Sequence, residues 1–189
     1  MAEKRLYRLK VTLRDSRPPI WRRFEVPADV TMLKLHQILQ LVMGWTDSHL
    51  HQFRRGETLY GEPDPEFGIR RQNEKRVRLA EVLRKPKDRM AYEYDFGDGW
   101  QHDIVLEDIS SPEPRVRYPR VLAGKRACPP EDIGGIGGYF DFLEALSDPK
   151  HPEHEEMLEW WGSDFDPKEF DVEEVNLCLH PGSRPRPDA

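Results

Sequence analysis

Cysteine is nearly missing from this chain. Cys128 and Cys178 are its two copies in 189 residues, and no CxxC spacing occurs. This argues against a disulfide framework or a thiolate zinc site, and two reduced thiols are expected. Long apolar runs are missing as well: none approaches the roughly 20 residues needed to cross a bilayer. The N-terminal MAEKRLYRLK lacks the apolar centre of a signal peptide. The expected location is therefore cytoplasmic, without a membrane partner. Apolar residues are scarce overall, at 37% against 34% charged, so the core must rest on a few large side chains. Eight Phe, six Tyr and five Trp can supply it.

The net charge of −6 hides an asymmetry. Residues 1–90 hold 20 Lys and Arg against 12 Asp and Glu, whereas residues 91–189 hold 9 against 23. Two readings follow: halves that neutralise each other within one fold, or a basic face for an anionic partner such as nucleic acid. The first is favoured, because the overall balance is acidic and no helix-turn-helix is recognisable.

The local patterns predict an α+β chain. Tyr7, Leu9, Val11 and Leu13 alternate with polar residues, as in a half-buried strand, and Ile20–Val26 reads as its partner. Thr31 is the expected N-cap of a helix that buries Leu35, Ile38, Leu39 and Val42 and stops at Gly44. Segments 49–54 and 57–60 predict a hairpin about Gly56, and 61–75 a long surface loop. A short helical turn is expected at Leu79–Leu83. Met90–Tyr94 and Trp100–Ile109 predict a second hairpin, with His102, Ile104 and Leu106 on one face. Three helices are then expected: one from Gly138 to Pro149, one begun by Pro152 with Met157, Leu158 and Trp161 facing inward, and one begun by Asp171. The predicted architecture is a single compact domain over residues 1–180. Antiparallel strands and hairpins fill its first two thirds, its C-terminal third is mostly helical, and 181–189 form a disordered tail.

The richest stretch is YEYDFGDGWQH, Tyr92–His102, whose turn carries more aromatic and ionisable groups than turning requires. In HLHQF, His49 and His51 would share one strand face, about 6.5 Å apart. Together with Asp98 and His102 they make a candidate His/carboxylate set for a divalent metal; the plain alternative is structural hydrogen bonding. Asp95 and Asp98 can equally cap their own turn. The letters DFG lack the other kinase motifs. Gly134, Gly135, Gly137 and Gly138 open a predicted helix, yet Glu131 and Asp132 would repel phosphate, so a close backbone approach explains them better. Ser16 stands among Arg14, Arg17, Arg22 and Arg23, an arrangement open to a nucleophile or to an ordinary loop. Trp45, Trp100, Trp160 and Trp161 read as core before ligand stacking.

PPIWRR (Pro18–Arg23), LHQILQLVMGW (Leu35–Trp45), HLHQF, YEYDFGDGWQH, CPPEDIGGIGGY (Cys128–Tyr139) and FDVEEVN (Phe170–Asn176) together resemble the plasmid Orf-three-like family over about Tyr7–Leu179. The resemblance implies a compact α+β domain and an association with mobile genetic elements, with a resolvase-like label. It carries over no catalytic residues, and the Ser16 segment lacks the YxRxS pattern of a serine recombinase. The leading functional expectation is a binding or interaction domain for a protein or small-molecule ligand. Its ligand-binding candidates are Trp45, Asp95, Asp98, Trp100 and His102, and its metal-ligand candidates His49, His51, Asp98 and His102. The alternative is a metal-dependent hydrolase or nuclease; the third reading is a DNA-binding or resolvase-like protein.

Overall fold

Period-two alternation near the N-terminus produces what it predicts, a strand whose every second side chain is buried. A computed structural model describes residues 4–63, 70–162 and 165–181. In chain order the strands are β1 Leu6–Leu13, β2 Trp21–Pro27, β3 His51–Arg55, β4 Thr58–Gly61, β5 Arg71–Asn73, β6 Arg89–Tyr94, β7 Trp100–Ser110 and β8 Arg120–Lys125. The helices are α1 Met32–Met43, α2 Leu79–Val82, α3 Gly135–Ser147, α4 His154–Trp161 and α5 Val172–Leu179. The strands form one sheet in the order β5-β4-β3-β6-β7-β1-β2-β8, antiparallel except for the parallel β4–β5 pair. The fold is α+β and the sheet dominates it.

One face of the sheet holds the core. Tyr7, Leu9 and Val11 of β1, Phe24 and Val26 of β2, Phe53 of β3, Tyr92 and Tyr94 of β6, and Ile104 and Leu106 of β7 are buried there with the Leu35, Ile38, Leu39 and Val42 stripe of α1. Thr31 caps α1 by accepting the Lys34 N–H at 3.1 Å, and Gly44 closes it with φ 101°. The opposite face meets water, as one-sided antiparallel sheets allow, and carries ion pairs between strands, the one from β2 to β7 reaching across β1. Arg23 pairs with Glu107 at 2.6 Å, Arg14 with Asp103 at 2.6 Å, and Arg8 and Arg120 with Glu25. Arginines of the first half thus meet acids of β7, while Glu25 is a buried first-half acid held by Arg8 and Arg120; the partly exposed Arg14–Asp103 and Arg23–Glu107 pairs contribute at most about 1 kcal/mol each.

Several local expectations need correction. The stretch expected as one loop over 61–75 contains β5; residues 64–69 lie outside the described residues. The edge strand β8 was not expected, and the last three helices, of 13, 8 and 8 residues, are secondary to the sheet. Trp160 and Trp161 are not core but 47% and 42% exposed, because α4 buries no residue fully; their rings edge onto Phe142 of α3 and, for Trp161, Phe165. Ser16 is no free nucleophile: its hydroxyl donates to Leu13 O and accepts from Ile20 N, bridging the β1–β2 connection. The predicted tail falls almost wholly in 182–189, outside the described residues. Asp171 does cap α5, and from that helix Asn176 both donates to and accepts from the Val121 backbone, covering the free edge of β8.

Candidate functional site

Three segments far apart in sequence meet at one end of the sheet: the loop from Trp45 to Leu50, the turn from Asp95 to Gly99, and the loop from Cys128 to Gly134. Trp45 Nε1 donates to Pro129 O at 3.1 Å and its ring stacks on Tyr94. Glu131 is the clamp. One carboxylate oxygen accepts from Tyr94 Oη at 2.5 Å, and the other from Thr46 N and Thr46 Oγ1. Burial, reinforced by this bond to Glu131, pushes the Tyr94 phenol up, so it stays a donor at neutral pH. Asp98 Oδ2 accepts the Gly134 N–H at 3.2 Å, tying the turn to the third segment. That approach requires glycine at 135, where φ is 70° and a Cβ would stand 2.4 Å from Asp98 O.

A closed hydrogen-bond ring lies beside this junction. Asp47 N donates to Gln40 Oε1 at 3.0 Å, which fixes the amide so that Gln40 Nε2 donates to Tyr92 Oη at 2.9 Å. Among the described residues, the proton of that phenol has one acceptor in reach, His36 Nδ1 at 2.8 Å. His36 therefore carries its proton on Nε2 and donates to Asp47 Oδ1 at 2.7 Å. Burial, then the adjoining His51, lowers the His36 pKa. The His51 ring stacks on His36 with centroids 3.4 Å apart and planes 2° from parallel, and its Nε2 is 2.8 Å from the buried Glu74 carboxylate.

Above the ring opens a cleft of about 450 Å³. Its walls include His49 and His51, the carboxylates of Asp47, Glu62 and Glu74, the Arg71 guanidinium and the Phe96 ring. Phe96 is 41% exposed, and Arg71 sits 5.7 Å from its ring centre. His49 looks the other way from His51: Nδ1 is 3.6 Å from Asp95 Oδ2 and Nε2 is 3.3 Å from Asp132 Oδ1. Asp95 uses Oδ1 to accept from Gly97 N and Asp98 N, the turn cap that its spacing suggested, and keeps Oδ2 toward His49.

The expected site residues thus divide. His49, His51 and Asp95 converge on or beside the cleft, although the two imidazoles serve different carboxylates because His49 precedes β3. Trp45 and Asp98 hold the loops together. Trp100 and His102 were expected in the same site, but they lie on the core face of β7, 1% and 0% exposed. The His102 ring packs edge-on to Trp45, with Nδ1 3.3 Å from Tyr92 O, and burial holds its pKa down to about 4. It is a neutral core imidazole and cannot join His49 and His51 around one ion. Sequence reasoning missed His36, Asp47, Glu74 and Glu131 as site builders. Only His36 carried a signal, being polar on the apolar stripe of α1.

The family model described as plasmid pRiA4b ORF-3-like protein matches residues 5–174. The uncharacterized protein y4hQ of Sinorhizobium fredii is 42% identical over 174 residues, covering 91% of this chain and 89% of that protein. Among solved structures, a protein of unknown function, MM3350, from Methanosarcina mazei Go1 is 38% identical. It aligns with a TM-score of 0.82 over 92% of this chain and 99% of its own. With the YEYDFGDGWQH turn clasped to the GGIGG loop by Asp98 and Gly135, this chain belongs to the plasmid pRiA4b ORF-3-like family.

Proposed function

We propose that the protein is a binding domain whose ligand presents a positively charged group to the cleft above the stacked histidines. The observation that carries this reading is the lining itself. Three carboxylates face one guanidinium, and an exposed aromatic ring stands at the rim. A small ammonium or guanidinium ligand would exchange water for carboxylate oxygens and the face of Phe96, an attraction of about 0.5–1 kcal/mol for the ring at an exposed site. The walls are built by hydrogen bonds between distant segments, so the cleft is largely preformed and little ordering opposes binding.

Titrating arginine, putrescine and tetramethylammonium into the labelled protein tests this. Amide signals of Leu50, His51 and Phe96 are expected to shift saturably, and Phe96→Ala to weaken binding about threefold for the loss of the ring. Shifts spread evenly over the surface, or unchanged affinity in Phe96→Ala, would remove the reading. Metal-dependent hydrolysis is a second reading, favoured by the His49, Asp95 and Asp132 group beside the cleft. If it holds, Mn²⁺-dependent cleavage of p-nitrophenyl phosphate should vanish in His49→Gln; metal-independent cleavage would exclude it.

A further inference from the structure

We infer that His49, Asp95 and Asp132 form a site for one divalent first-row cation, Mn²⁺ or Zn²⁺, at the edge of the cleft. The inference rests on the cleft being a binding site and names a second occupant for it.

Two His/carboxylate groups border the cleft, and their hydrogen bonding separates them. The first is His36, Asp47 and His51. Its His36 ring is already saturated, accepting from Tyr92 and donating to Asp47. A cation on His36 Nε2 would move the ring proton to Nδ1. Tyr92 Oη would then accept from both Gln40 and His36, and its own proton would have no partner inside the core. The His51 Nε2 is likewise held by Glu74. This group is a structural network.

The second group is unsaturated. Ligand atoms of His49, Asp95 and Asp132 all lie within 4.8 Å of one another. Asp132 Oδ1 stands 3.3 Å from Nε2 and Asp95 Oδ2 3.6 Å from Nδ1, neither contact makes a hydrogen bond, and the buried Nε2 has no hydrogen-bond partner among the described residues. Donors each about 2.1 Å from a tetrahedral cation are themselves roughly 3.4 Å apart. The Asp132–Nε2 gap therefore suits one ion bound at Nε2, whereas Nδ1 points away from that ion and the Asp95–Nδ1 gap is no donor spacing; Asp95 belongs to the group because its ligand atom lies within 4.8 Å of the other two. Among the described residues, neither carboxylate has an ion-pair partner other than His49.

The surroundings orient these donors. Asp95 Oδ1 is occupied by two backbone N–H groups, so that Oδ2 is presented to the site. Asp132 follows Glu131, whose bonds to Tyr94 and Thr46 fix its loop. One imidazole with two carboxylates and no thiolate is a donor set for Mn²⁺ or Zn²⁺, with the remaining positions open to water or to a ligand in the cleft.

Titration calorimetry with Zn²⁺ and spin resonance with Mn²⁺ test the assignment on the full chain. One ion per chain is expected, with affinity at least tenfold lower in His49→Gln and in Asp132→Asn. The Mn²⁺ signal should also show nitrogen coupling that His49→Gln abolishes. Asp132 is exposed and has φ 61°, a conformation asparagine tolerates, so Asp132→Asn should fold even if His49→Gln does not. No binding at millimolar metal, equal binding in both variants, or loss only on changing His51 would overturn the inference. If organic cations still shifted the cleft signals while metal did not bind, the ion site alone would fall and the cleft reading would stand.

Discussion

Gly138→Ala is expected to destabilise the protein by on the order of 3 kcal/mol, an overpacking penalty against backbone. The Cβ it adds would sit 1.8 Å from Ile133 O and 2.8 Å from the Ile133 carbonyl carbon. Neither neighbour is a flexible side-chain tip. The loop carrying Glu131 and Asp132 would have to move, and the bonds from Thr46 and Tyr94 to Glu131 would loosen with it. Gly137→Ala is the matched control: nothing lies within 4 Å of its added Cβ, and in a helix the change should stabilise by about 0.5–1 kcal/mol. Urea midpoints of the two variants give the comparison. Equal midpoints would mean that the GGIGG segment is not a close-approach device.

Acid should weaken the fold earlier than its carboxylates alone would. The folded pKa of His102 is about 4, against 6.5 for a free imidazole, because its ring is sealed in the core. Between those values the unfolded chain binds a proton that the folded chain refuses, so stability falls as pH drops from about 6.5 to about 4. The loss, fully developed below the folded value, reaches roughly 3 kcal/mol. Burial and its neighbour His51 lower the His36 pKa, adding loss of the same sign. Denaturation series from pH 7.5 to 4 on the parent and on His102→Gln should therefore diverge, with the parent steeper. Parallel curves would show that His102 takes up its proton without penalty.

Much of the fold could be read from residues close in sequence. The apolar stripe of α1 lies between Thr31 and Gly44, and both hairpins show alternation on either side of a glycine-bearing turn. Asp171 announced α5. What escaped depends on distant partners. Strand β5 is three polar residues that exist as a strand only through parallel pairing with β4, and β8 is held between β2 and Asn176. The candidate site divides the same way. The chemistry of the HLHQF and DFGDG segments marked them as candidates and the spacing of Asp95 suggested its turn-capping role, but whether the two segments meet was not legible, because that depends on the β3–β6 pairing of distant strands. His102 shows how one pattern outweighs another: its period-two relation to Ile104 and Leu106 already marked the core face, although its residue type suggested a ligand. Glu74 and Glu131 sit in segments without periodicity, and only the completed sheet brings Glu74 to the cleft and Glu131 to the junction beside it.

The clasp made by Glu131 has a consequence for fragments of the chain. Thr46 comes from the first third of the polypeptide, Tyr94 from the middle and Glu131 from the last. A severed piece that stops between Phe96 and Glu131 keeps every residue lining the cleft but loses the clasp that holds Thr46 to Tyr94. The Thr46–Glu131–Tyr94 contact would therefore form only when two such pieces reassemble, which makes it a gauge of whole-molecule integrity.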